Sequence, residues 1–358
     1  MKAWILHDIG KISYEEREMP KPGKGEVLLK VHSAGICGSD IPRIYQTGAH
    51  NMPLIPGHEF SGEVVEAGQD ADRTWLGKRV GVFPLIPCRD CFPCRQLKYE
   101  MCRHYDYLGS RSDGGFAEYV AVPEWNLIEL PEGVSYDSAA MLEPMSVGIH
   151  AIRGVAPERG EKITVCGLGT IGTLLVMSLI NIFEIDANDI TAIGNKESQK
   201  NNVEGLGVPA GNFLDIRQLD TDKKETAISK FIAERTNGIG TNVFFECTGS
   251  NESYSWGVDI LAPSGRLCLM GNPHSDMELK RDVYWKILRN QLKLMGTWNS
   301  SFTGSEADDW HMALNAMAKN GKELENFISH RYPLEKLDEG FEIMRDKKEE
   351  YIKIMGQI

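Results

Sequence analysis

The chain has no apolar run long enough to cross a bilayer. The longest, Ile171–Phe183, is broken by Gly172, Ser178 and Asn181, whereas a spanning helix needs about 20 apolar residues. An excess of positive charge is also missing. Lys and Arg number 39 against 51 Asp and Glu, a net charge of −12. Nucleic acid is therefore a poor partner, because phosphate backbones are held mainly by clustered cations. Internal repeats and low-complexity segments are absent. Met1–Gly10 shows one Lys, a few apolar residues and then His7 and Asp8, unlike a secretory leader, so a cytoplasmic address is expected. With 42% hydrophobic and 25% charged residues, disorder and collagen-like repeats are excluded. A length of 358 residues suggests two domains, at roughly 100–200 residues each.

Cysteine is scarce but unevenly placed. Of eight, four fall close together as Cys88-x2-Cys91-x2-Cys94-x7-Cys102. Four thiolates on a short loop can surround a tetrahedral Zn²⁺. The alternative is a redox or loosely clustered thiol loop. A closed four-thiolate site has no open position, so its expected role is structural. It would organise residues 87–103, which have little hydrophobic sequence of their own.

The first 150 residues read as short strands separated by Gly and Pro. Gly25–His32, Ser61–Gly68, Lys78–Pro84 and Phe116–Val122 are the candidates. Beyond them the pattern changes to apolar strands (Lys162–Cys166, Asp189–Ile193, Thr241–Cys247, Gly265–Met270) alternating with helices such as Ile171–Phe183 and Glu225–Arg235. That alternation predicts an α/β parallel sheet covered on both faces. An amphipathic helix over Glu306–Asn320 and a helix-then-strand end over Leu337–Ile358 complete the chain.

Gly167-Leu168-Gly169-Thr170-Ile171-Gly172 is a G-x-G-x-x-G set between a strand and a helix. In that context the glycines permit a tight turn and backbone approach to a pyrophosphate, with the helix N-terminus facing the anion. Thr248, after the Thr241–Cys247 strand, joins the candidate cofactor residues. An acid about 20 residues after the glycines usually takes the ribose 2′-hydroxyl of NAD. Here the second strand runs into Gly194-Asn195-Lys196 with no acid at its tip. The choice therefore leans to NADP over NAD, with a merely solvated Lys196 as the alternative.

A nicotinamide moves hydride but needs help with the charge on the substrate oxygen, from a Lewis acid or a proton donor. Cys37-Gly38-Ser39-Asp40 and Gly57-His58-Glu59 offer ligands on two loops, and Glu143 is an acid in an otherwise apolar run. Singly, Cys37 reads equally well as a small buried hydrophobe, His58 as a core histidine and Glu143 as a helix-start cap.

Together these stretches, with Gly114–Tyr119, the cysteine lobe and Gly167–Gly172, resemble the zinc-dependent medium-chain alcohol/polyol dehydrogenase family over essentially the whole chain. The resemblance implies a GroES-like, mostly-β catalytic domain (1–147 with 296–358) and a Rossmann doubly wound domain (148–295), with substrate in the cleft between them. It implies a catalytic zinc held by Cys37, His58 and Glu143, with Glu59 as an alternative or outer ligand, and a structural zinc on Cys88, Cys91, Cys94 and Cys102. Glu143 marks the polyol branch. Ser39 would be the first station for the departing proton, or simply a turn residue.

Within that branch Gly38–Ile44, Gly48–His50, Tyr105–Tyr107, Gly109–Arg111 and Lys286–Arg289 look like the group acting on galactitol 1-phosphate. A substrate phosphate would draw on Arg43, His50, Arg111, Lys286 and Arg289. The expected reaction takes a hydride from a secondary hydroxyl of such a polyol phosphate and leaves a ketose phosphate. Rivals are a dehydrogenase of free polyols such as sorbitol or iditol, one of another polyol phosphate, and a non-catalytic NADP(H)-binding relative. A homodimer or homotetramer is implied by the resemblance.

Overall fold

Two units make up the chain, Met1–Ser146 with Ser300–Ile358, and Val147–Asn299. They are seen in a computed structural model that describes residues 1–220, 223–273 and 275–358. In the first unit β1 (Lys2–Asp8) and β2 (Lys11–Glu16) form a hairpin. The long β3 (Glu26–Ile36) follows, then β4 (Glu59–Ala67), β5 (Arg79–Val82), β6 (Leu85–Ile86), β7 (Asp106–Tyr107), β8 (Tyr119–Pro123) and β9 (Leu127–Glu129). The second unit holds β10 (Ile163–Cys166), β11 (Ile190–Gly194), β12 (Phe213–Asp215), β13 (Thr241–Glu246), β14 (Leu261–Leu269) and β15 (Lys293–Gly296). The chain then returns to the first unit with β16 (Ile328–Pro333) and β17 (Lys353–Gln357).

The main sheet of the first unit runs β16-β17-β3-β4-β5-β9, with β8 also paired to β3. Alternation in β3 buries Val27, Leu29 and Val31 in one cluster with Phe60, Val80 and Val122. Each such side chain contributes about 1.5–3 kcal/mol when fully buried. The loop from Cys88 to Cys102 has no comparable source of stability, since Phe92, Leu97 and Met101 are exposed.

The second unit is a parallel sheet in the order β12-β11-β10-β13-β14-β15, the doubly wound order of dinucleotide-binding folds. Successive residues of β13 face opposite ways. Val243 and Phe245 join Leu175 and Leu179 of the helix Thr170–Asn181, and Phe244 joins Ile228, Ile232 and Trp256 on the other face. Among the described residues no helix is long and apolar enough to cross a membrane.

Several boundaries differ from the periodicity, and three of them have a visible cause. The expected strand at Phe116 begins at Tyr119, because Gly115 and Phe116 donate their N–H groups to Gly57 and Pro56 and run along the His58 loop. The late helix spans Asp309–Glu325 rather than starting at Glu306. Asp308 holds its entry, accepting from the N–H groups of Thr303, Gly304 and His311, as a capping carboxylate does. β14 starts four residues earlier than its apolar run suggests, because Leu261 already pairs with Thr241.

Candidate active site

Register builds the site. Gly35 of β3 lies opposite Glu59 of β4, so the loop leaving β3 at Cys37 meets the loop entering β4 at His58. Gly57 makes that entry possible. Its φ is +95°, and a Cβ there would sit 2.6 Å from the Phe116 ring, so only glycine fits. Among the described residues Cys37, His58 and Glu59 place one ligand atom each within 4.8 Å of one another.

Charged groups surround this set. Asp40 is fully buried, accepts from the Cys37 N–H at 3.0 Å and ion-pairs with Arg43. Its Oδ1 lies 3.4 Å from His58 Nδ1, an atom sealed from solvent without a hydrogen bond. A carboxylate behind an imidazole is the usual device for orienting a metal-binding histidine. The Ser39 hydroxyl donates to Cys37 Sγ at 3.3 Å. Glu143 enters from the first turn of the helix Leu142–Val155 and accepts from the Tyr107 hydroxyl at 3.3 Å, while the Tyr107 ring stands edge-on to His58. Opposite, the ammonium of buried Lys353 ion-pairs with Glu59.

The electrostatics follow from this packing. Burial alone would raise the Cys37 thiol, but the His58 charge outweighs it and brings Cys37 down to about 6. Burial alone would lower His58, but Asp40 and Cys37 lift it to about 10. Burial pushes Glu143 up to about 7 and Lys353 down to about 8. Four acidic groups (Cys37, Asp40, Glu59 and Glu143) thus face two cations besides His58, Arg43 and Lys353. A dication suits such a donor set, and the sulfur, nitrogen and oxygen donors are those zinc takes.

The order of the two carboxylates differs from the expectation. Glu59 groups with Cys37 and His58, where the register opposite Gly35 holds it, whereas Glu143 lies outside that group and accepts from Tyr107. Three further residues take part in the site: Asp40, Tyr107 and Lys353. Asp40 follows Cys37 at a spacing that allows the backbone contact seen. Tyr107 lies in the Tyr105–Tyr107 stretch, which assigns it no role, and Lys353 carries no local signal.

The second cluster is of another kind. Cys91 Sγ lies 3.5 Å from Cys94 and 3.9 Å from Cys102, and Cys88 Sγ lies 3.9 Å from Cys94. Backbone N–H groups of Cys88, Cys91 and His104 donate to these sulfurs. All four thiols are unbridged. Peptide donors bring Cys91 down to about 6 and lower Cys88, while burial raises Cys94 and Cys102.

In the second unit the glycine turn closes as the motif requires. A Cβ on Gly172 would lie 1.9 Å from the Gly167 carbonyl oxygen, whereas nothing lies within 4 Å of one on Gly169. Gly169 caps the helix Thr170–Asn181. The loop after β13 packs on this turn, with the Thr248 methyl 2.7 Å from a Cβ on Gly167. Buried Glu246 fixes that loop by accepting from Thr248, Gly249 and Ser253. At the tip of β11, Gln199 accepts from the Asn195 N–H at 2.8 Å and fills the space beside Gly194. Lys196 caps the helix Glu197–Gly205.

The candidate substrate cations are divided. Arg43 is tied to Asp40. His50 lies in an exposed loop, joined to the Arg111 loop by the Asn51 side chain, which donates to the Arg111 carbonyl at 2.8 Å. Arg111 stacks over Tyr105 at 4.4 Å, and its Nε is buried without a hydrogen bond. Lys286 and Arg289 belong to the second unit, where Lys286 pairs with Asp259 and Arg289 lies over Trp285.

Comparison with known proteins agrees with this geometry. The alcohol dehydrogenase GroES-like domain family matches residues 23–132, and the zinc-binding dehydrogenase family matches residues 170–319. Galactitol 1-phosphate 5-dehydrogenase of Escherichia coli is 30% identical over 332 residues, 92% of each chain. Sorbitol dehydrogenase of Halalkalibacterium halodurans is 29% identical over 358 residues, 99% of this chain and 98% of that one. A crystal structure of the Escherichia coli galactitol-1-phosphate dehydrogenase superposes with a TM-score of 0.89 at 29% identity, covering 100% of both chains. The chain belongs to the zinc-dependent medium-chain alcohol and polyol dehydrogenases, which are NAD(P)-dependent oxidoreductases.

Proposed function

We propose that the chain oxidises a secondary hydroxyl of a polyol phosphate of the galactitol 1-phosphate kind, leaving a ketose phosphate, NADPH and a proton. The observation that carries this reading is the meeting of Cys37, His58 and Glu59, with Glu143 as a further carboxylate, in a chain of this family. Cys37, His58 and one or both glutamates would hold a catalytic zinc, and Cys88, Cys91, Cys94 and Cys102 a structural one. When bound, the metal supplies Lewis acidity towards the substrate hydroxyl and the nicotinamide supplies the hydride acceptor. Asp40 keeps the imidazole in its orientation. Ser39, which donates to Cys37, would be the first station for the departing proton. Gly167, Gly169, Thr170, Ile171 and Gly172 offer a pyrophosphate the backbone of a helix start. The acid-free tip at Gly194, Asn195 and Lys196 supports NADP over NAD.

The buried, unpartnered Nε of Arg111 supports a phosphate on the substrate, since a guanidinium is suited to bidentate oxyanion binding. A second reading, oxidation of free polyols, is favoured by the engagement of Arg43 with Asp40 and of Lys286 with Asp259. Initial rates on galactitol 1-phosphate and on galactitol, each with NAD⁺ and NADP⁺, decide between them. A kcat/KM advantage for the phosphorylated substrate is expected, and equal or better turnover of galactitol would overturn it. We also read the enzyme as cytoplasmic and as a homo-oligomer. A second copy would add to β15, the edge strand of its sheet, beside exposed Tyr284, Trp285, Leu288 and Leu294. Sedimentation of a monomer would refute the oligomer.

A further inference from the structure

Lys353 is a lysine only 1% exposed, and burying an ammonium is expensive unless it is paired. The fold prepares its place from three strands. β17 pairs with β3 so that Ile354 lies opposite Ile36, which brings Lys353 to the strand end that leads into Cys37. There its ammonium donates to the Ile36 carbonyl at 3.0 Å and to Glu59 Oε2. Gly35 leaves room for the pair, since a Cβ there would lie 2.5 Å from both Glu59 Oε2 and Lys353 Cε.

Glu59 is therefore claimed from two sides. One oxygen belongs to Lys353, and the same carboxylate groups with Cys37 and His58. A carboxylate that shares its charge with an ammonium is a weaker metal ligand than one that does not. We propose that Lys353 is a positioning residue: it restrains Glu59 at the metal so that Glu59 and Glu143 do not both close the coordination sphere against the substrate. This inference rests on the reading that Cys37, His58 and Glu59 hold the metal.

The test uses the full-length enzyme, zinc-loaded and with Co²⁺ in place of the catalytic zinc. Lys353→Met should hold the catalytic metal at least about 10-fold more tightly in chelator competition. Its cobalt absorption should weaken as coordination number rises, and kcat should fall about 10–100-fold, the range of outer-sphere losses, with KM little changed. Lys353→Arg should recover most of the wild-type cobalt spectrum and kcat. A Lys353→Met protein that melts earlier but keeps the wild-type spectrum and metal affinity, or binds metal more weakly, would overturn the proposal. Should Lys353→Met fail to fold, the pair Glu59→Gln/Lys353→Met removes both buried charges. Its cobalt spectrum should then match that of Glu59→Gln alone, and a spectrum unlike that of Glu59→Gln overturns the proposal. Glu59→Gln alone separates the two levels of argument. If it leaves metal affinity and spectrum unchanged, the reading of Glu59 as a ligand fails, and with it the role of Lys353. If it changes them while the folded Lys353 variants do not, only the role of Lys353 fails.

Discussion

The two cysteine-containing clusters of the first unit are built by opposite means. The lobe draws four thiols from one short stretch, and its sulfurs are met by peptide N–H groups. The Cys37 site draws residues from strand ends and loops between positions 37 and 353, and its donors are met by charges and hydroxyls. A cluster bonded to its own backbone is suited to holding a fold. One whose candidate ligands lean on Asp40, Tyr107 and Lys353 can have its geometry and charge adjusted residue by residue. The difference teaches where chemistry sits: cysteine is common to both, and the neighbours distinguish them.

Substitutions should separate the two. The largest effect is expected from Cys37→Ser, which should reduce kcat by well over the roughly 100-fold typical of outer-sphere losses. Steady-state rates and metal analysis check this, with one zinc per chain expected to remain. Cys91→Ser should instead remove the other zinc and lower the melting temperature by several degrees, because a structural zinc contributes directly to folding. Calorimetry would register it, and activity of the folded fraction should persist. Asp40→Asn should cost about 10–100-fold in kcat or metal affinity, with Arg43 left beside a neutral amide. Tyr107→Phe removes one hydrogen bond to Glu143, worth about 0.5–1.5 kcal/mol, so kcat/KM should fall only about 2- to 12-fold. The smallest change is expected for Gly194→Asp, which should move preference from NADP⁺ towards NAD⁺. The effect is limited because the new Cβ would meet Gln199 Oε1 at 2.6 Å and the Phe213 ring at 3.0 Å. Measured dissociation constants for both cofactors would show the shift.

The same contrast explains what the sequence could disclose. The lobe was legible because Cys88, Cys91, Cys94 and Cys102 are close in the chain, and spacing alone implies a cluster. The glycine turn was legible because a strand, three glycines and a helix are consecutive. Candidate ligands such as Cys37 and His58 stood out only jointly, since each alone passes for a core residue. The roles of Tyr107 and Lys353 were not legible. Their positions depend on β6–β7 pairing and on β17 lying against β3, long-range choices that leave no local pattern. The ordering of Glu59 and Glu143 was hidden for the same reason: it depends on the register between Gly35 and Glu59. The β1–β2 hairpin was also unread. Much of it is the half-buried β2, whose alternation is weak.

On the reading proposed above, two metals with separable roles would occupy these two clusters. Timed chelation of the zinc-loaded enzyme tests it most directly, following zinc release, activity and circular dichroism together. Two phases are expected: one zinc leaves with the activity while the fold persists, and the second leaves only as structure is lost. A single phase, or activity that survives loss of the first zinc, would contradict it.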